Sequence, residues 1–174
     1  MASYYAIVVL SLLVFSISAG HALDEQELKT TLYIKQNYAQ DQRVVGTDTV
    51  VINWVIKDGP DAAANTIGHA EGLTTHANLA TNFWVTIFDM VFEGGSLAGS
   101  TLKVMGLHGG MSTGQGQWSV MGGTGELTMA RGIINYKITQ EDGTSRTFEI
   151  SICVFYTSKS TVPLLGGINI GLFP

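Results

Sequence analysis

The sequence predicts an all-β domain of eight strands, folded as a closed antiparallel barrel or as a sandwich. Three observations predict it. After residue 22 no stretch shows a convincing 3.6-residue apolar period, whereas several alternate with period two. Among 174 residues 21 are Gly and only 3 are Pro, which suits many short strands joined by turns. Hydrophobic residues make up 45% and charged residues 13%, too apolar for a disordered chain and too lightly charged for a coiled coil.

In chain order the strands are expected at Thr30–Tyr38, Gly46–Ile56, Thr66–His76, Ala80–Phe92, Ser96–Gly106, Gln117–Met121, Leu127–Gln140 and Arg146–Thr157. The last is the clearest. Phe148, Ile150, Ile152, Val154 and Tyr156 share one face, with Glu149, Ser151 and Cys153 on the other. Tyr136 lies in phase with Ile134 and Ile138, and that apolar face points to the interior. Lys57-Asp58-Gly59-Pro60, Glu93-Gly94-Gly95 and Glu141-Asp142-Gly143-Thr144 have turn chemistry. Gly109 to Gly116 reads as a long flexible loop, and Gly122-Gly123-Thr124-Gly125 as a tight turn or bulge. A barrel removes exposed strand edges, and one of eight strands can hold a small ligand.

The first 22 residues stand apart. An apolar run from Tyr4 to Phe15 is followed by Ser16, Ser18, Ala19 and Gly20, then by the acidic stretch that starts at Asp24. The run is shorter than the ~20 residues that span a bilayer, so it is expected to be a cleaved signal peptide and not a membrane anchor. The expected organisation is a signal peptide over 1–22, a β-domain over 23–160 and an apolar, Gly-rich tail over 161–174.

Cys153 is the one cysteine, so no internal disulfide is expected, and its apolar setting predicts a buried small hydrophobe. The net charge is −5 and the nine basic residues are scattered, which argues against nucleic acid and anionic membranes as partners. There is no phosphate-binding loop and no nucleophile elbow. His69, His76 and His108 do not pair at metal-ligand spacing with one another or with Cys153, so neither a metal nor another cofactor is expected.

The segment from Phe92 to Gly132 is more specific. It holds Gly99-Ser100-Thr101-Leu102, then Val120-Met121-Gly122-Gly123-Thr124-Gly125, then Ala130-Arg131-Gly132. With Gly68-His69-Ala70-Glu71-Gly72 and Leu32-Tyr33-Ile34-Lys35-Gln36, this order resembles the plant dirigent family over about Thr30 to Tyr156. The resemblance implies an eight-stranded antiparallel barrel of the dirigent and allene-oxide-cyclase type, secreted to the plant apoplast and assembled as a homotrimer or homodimer. It also implies phenolic radicals as ligands. A separate laccase or peroxidase makes phenoxy radicals from a monolignol such as coniferyl alcohol, and the barrel fixes which faces join in lignan formation. Two planar radicals need apolar walls for stacking and a few polar groups for orientation. Holding them in one geometry selects the product without redox chemistry from the protein.

Residue by residue, the family's first-strand aspartate falls at Gln36, and a pocket tyrosine falls near His76. A loop aspartate falls near His108, and an arginine falls at Gln115 or Gly116. An aromatic pocket residue of the last strand matches Phe148. The resulting candidate site takes His76 and His108 as acid or base, with Gln36, Tyr136 and Phe148 as ligand-binding residues. Arg131 is read as structural, pairing a carboxylate such as Asp89 or Glu149. Two other functions follow from the same family: a cyclase or dehydratase, and a binding or defence module without chemistry. A polar interior favours guidance or catalysis; one filled by large apolar side chains favours the binding module.

Overall fold

The computed structural model describes residues 25–39, 49–78, 80, 83–109 and 114–157. Eight antiparallel strands close into a barrel in chain order. They are β1 (Glu25–Asn37), β2 (Thr49–Lys57), β3 (Thr66–His76), β4 (Phe83–Phe92), β5 (Thr101–Gly109), β6 (Gln115–Thr124), β7 (Arg131–Glu141) and β8 (Ser145–Thr157). The expected signal peptide, the start of the second strand at 46–48 and the tail over 161–174 lie outside the described residues.

Period-two patterning sets which side chains enter. On β8, Phe148, Ile150, Ile152 and Val154 are buried, as are Leu32 and Ile34 on β1 and Ile134 and Tyr136 on β7. The first and last strands close the barrel through thirteen residue pairs, from Glu25 with Thr157 to Asn37 with Ser145. Among the described residues the β1–β2 seam has three, from Tyr33 with Lys57 to Lys35 with Val55.

Several boundaries move. Gly95–Leu97 and Gly125–Leu127 form short 3₁₀ turns and not strand ends. Gly95, Gly99 and Gly125 take φ of 71°, 79° and 66°, a left-handed backbone that ends strand pairing. Leu127, expected on a strand, is fully buried in its turn and packs into the core. The loop expected from Gly109 to Gly116 is shorter, because Gln115 and Gly116 already pair with Lys137 and Tyr136. The Gly122-Gly123 segment follows a register shift opposite Lys103 and Val104, the bulge expected there.

Two side-chain assignments also change. Arg131 pairs with Glu25 through two hydrogen bonds, and not with Asp89 or Glu149. Those carboxylates face nearer cations across their own strand pairs: Asp89 takes Lys103 at 2.8 Å and Glu149 takes Lys137 at 2.7 Å. Cys153 lies on the outer face beside Glu27 and is only half-buried, since its parity opposes that of Ile152 and Val154.

Candidate functional site

At mid-height the interior holds five aromatic rings in mutual contact, all buried: Trp54, Phe88, Trp118, Tyr136 and Phe148. Trp118 stacks on Tyr136 with centroids 4.4 Å apart and meets Phe88 edge-on at 5.2 Å. Tyr136 meets Phe148 edge-on at 5.7 Å, and Trp54 stacks on Phe148 at 5.9 Å. Glycines make room for two of these rings. A Cβ on Gly116 would stand 2.5 Å from the Tyr136 hydroxyl oxygen, and one on Gly106 would stand 2.5 Å from Trp118 Cδ1.

The two ends of the barrel differ. At one end Leu127 and Ala130 are buried, with Leu97 packed against the core. The other end is polar. Gln36 continues the inward face of β1 past Ile34 and sits opposite Arg146 in register. Arg146 Cζ lies 5.8 Å from the Phe148 ring centroid and 5.7 Å from that of Tyr38, so one cation faces two ring faces. Its Nε donates to Glu141 Oε1 at 2.9 Å, and Tyr38 donates to the same oxygen at 2.8 Å. On the facing wall Thr74 and Thr86 are buried with their hydroxyl oxygens 3.0 Å apart.

Burial pushes the Tyr136 phenol above its ordinary pKa, against a smaller opposing pull from the Arg146 charge. The phenol is protonated at neutral pH, as phenols ordinarily are, and can donate a hydrogen bond; the upward shift makes it a weaker acid.

The five sequence-derived residues distribute as follows. Tyr136 and Phe148 are in the ring cluster, and Gln36 is half-buried at the polar end. His76 ends β3 at the same end, exposed, with its ring 3.8 Å from that of Trp84. His108 is placed by register opposite Trp84 on β4. The topology thus brings all five residues to the polar half of the barrel. Sequence reasoning missed Trp54, Trp118, Thr74, Thr86 and Arg146. Parity offered a signal for two of them: Trp118 is in phase with Val120, and Arg146 with Phe148.

Among the described residues no group of three or more His, Cys, Asp and Glu side chains comes together as a metal site. A groove of about 280 Å³ lies on the outer face, lined by Tyr33, Lys35, Lys57, Asp61, Gln140 and Thr147, away from the ring cluster.

The family model for "Dirigent-like protein" matches residues 20–155. The chain belongs to this family. Among curated relatives, it is 26% identical over 96 residues to Dirigent protein 11 of Arabidopsis thaliana, covering 53% of this chain and 49% of that one. It is 27% identical over 117 residues to Pterocarpan synthase 1 of Glycine max, covering 67% and 62%. The matches thus span about half to three-fifths of those relatives' lengths. Among solved structures, the pterocarpan synthase dirigent protein GePTS1 superposes with a TM-score of 0.65 at 21% identity, covering 79% of this chain and 89% of that one. That likeness extends to the dirigent barrel fold expected from the sequence.

Proposed function

We propose that this chain binds planar phenolic radicals at the polar end of its barrel and guides their coupling, with a separate oxidase generating the radicals. The observation that carries the reading is the ring cluster of Trp118, Tyr136 and Phe148, which meets the Arg146 cation and the Thr74–Thr86 hydroxyl pair at one end. Aromatic faces supply stacking, and the few polar groups supply orientation. Each radical contributes one electron to the new bond, so the protein needs no redox centre for coupling. The midsection, filled by large aromatic side chains, weighs by itself toward a binding module without chemistry; the polar end supplies the orienting groups that guidance needs.

A second reading is a ring-closing or dehydrating enzyme. It is favoured by relatives named as pterocarpan synthases, and within the ring cluster Tyr136 is the side chain that carries a hydroxyl proton. In that reading Tyr136 is the proton donor, with His76 or His108 as its exchange partner at the polar end.

The same proposal places the protein in the plant apoplast after signal cleavage, as a homo-oligomer. An exposed apolar row crosses the outer face: Val51 opposite Leu73, Leu73 opposite Ile87, with Leu107 beside it on β5. Such a row suits burial against a second copy.

The test is a coupling assay with coniferyl alcohol, a one-electron oxidant and the mature protein, read by chiral chromatography. An enantiomeric excess over the protein-free control is expected. A racemic product rejects guidance of this monolignol and moves the weight to the second reading, assayed by closure of an isoflavonoid alcohol without oxidant.

A further inference from the structure

One polar atom of the interior has no partner. Trp118 is 1% exposed, and its Nε1 makes no hydrogen bond among the described residues. A buried N–H left unpaired loses its hydration without recompense, and native interiors seldom keep one. The edge of the indole that carries this N–H leans over Gly106, since Cδ1 is bonded to Nε1 and stands 2.5 Å from where a Gly106 Cβ would be. The β4 partner of Gly106 is Thr86. Thr86 is fully buried, with its Oγ1 3.0 Å from Thr74 Oγ1. Thr74 in turn reaches the Val85 carbonyl at 3.2 Å. An orphan donor and a buried hydroxyl pair therefore stand on either side of a residue with no side chain.

We propose that this glycine-floored notch is the subsite that takes the oxygen of an aryl ligand. The Trp118 N–H donates to that oxygen, and the Thr86 hydroxyl stands on its other side. The proposal rests on the barrel-ligand reading above and adds the atoms that orient the ring. A phenolic oxygen accepts from the indole and can donate its own proton to a threonine oxygen; a quinone-methide oxygen accepts from the indole. The indole N–H does not titrate in the physiological range, so this orientation is independent of pH, unlike one set by a histidine. Any side chain on Gly106 would collide with the Trp118 indole edge and displace its N–H.

The test compares two probes by calorimetry on the mature protein: coniferyl alcohol, which carries ring oxygens, and cinnamyl alcohol, which lacks them. Trp118→Phe keeps a ring but removes the donor. It is expected to weaken coniferyl alcohol about three- to tenfold more than it weakens cinnamyl alcohol, the loss of one hydrogen bond over any loss of stacking. Thr86→Val keeps side-chain shape and is expected to act in the same direction, which guards against a folding defect in the first variant. In ¹⁵N-indole spectra the resonance assigned to Trp118 is expected to move downfield on adding coniferyl alcohol. If the wild type binds coniferyl alcohol and both variants bind it equally well, with that resonance unmoved, the notch is overturned while the barrel-ligand reading stands. If the wild type binds neither probe, the barrel-ligand reading for monolignols falls, and the notch falls with it.

Discussion

Gly72→Ala is expected to destabilise the barrel by about 3 kcal/mol or more. Gly72 follows Ala70 on the inward face of β3 and pairs with Ile52 on one side and Phe88 on the other. A Cβ there would stand 2.1 Å from the Ile87 carbonyl oxygen and 2.6 Å from Phe88 Cα. A carbon and a carbonyl oxygen rest about 3.3–3.6 Å apart, so the two strands would have to part by roughly 1.2 Å. That carries flanking inter-strand hydrogen bonds from about 2.9 Å to about 4.1 Å, beyond useful length. Two such bonds at about 0.5–1.5 kcal/mol each, with an overpacking cost of about 1–3 kcal/mol, set the magnitude. Gly143→Ala is the control, because nothing lies within 4 Å of its added carbon and its φ is not left-handed. The assay is urea unfolding of the mature proteins, with a slope of about 1–3 kcal/mol per molar. The Gly72 variant should lose about 1 M or more in midpoint, and the Gly143 variant should match the wild type. A Gly72 variant within about 0.3 M of the wild type refutes the claim that β3 and β4 touch backbone to backbone here.

Three further outcomes are expected. Tyr136 has its folded pKa raised by burial, so its share of stability is complete below pH 10 and is lost as pH rises through the folded value. Unfolding followed above pH 10 should therefore fall less steeply in Tyr136→Phe than in the wild type. Asp142 accepts from the Thr144 hydroxyl at 2.7 Å and from the Thr144 and Ser145 amides at 2.7 Å each, and these bonds, the hydroxyl's first, bring its carboxyl down to about 2. Its contribution is present above the unfolded value of 3.8 and is lost as pH falls toward 2; Asp142→Ala should lower the melting temperature at pH 6 and close the gap to wild type near pH 2. Arg131→Ala should leave the melting temperature unchanged, because its pair with Glu25 is exposed and screened by water.

Much of the fold was legible because half-buried strands write their parity into the sequence. The inward row from Phe148 to Tyr156 on β8 is an example. The two 3₁₀ turns were less legible. Leu97 and Leu127 look like strand residues, and only Gly95, Gly99 and Gly125 mark the backbone reversal. The candidate site was legible in part. Tyr136 and Phe148 carry parity and apolar neighbours, but their convergence with Gln36 and His76 depends on barrel closure, which no local pattern encodes. Trp118 and Thr86 were hidden for the same reason: they flank β5 at Gly106, whose missing side chain lets the indole edge lean over the backbone. Cys153 illustrates the opposite error. Its neighbours are apolar, yet alternation turns it outward.

The closure of β1 on β8 has a consequence for biogenesis. Thr31 waits for Ser151, about 120 residues later, which at about 5–20 residues per second is roughly 6–24 s of synthesis. During that time β2 is the strand beside it, through three residue pairs among the described residues. Its apolar row of Leu28, Leu32 and Ile34 is then available to chaperones or to other nascent chains. The ring cluster also stays incomplete until Phe148 arrives from the same last strand. A stop codon or strand-breaking change in β8 thus removes the seam, the inner wall and the shelter of the first strand together, and should give aggregated chains and not a shortened barrel.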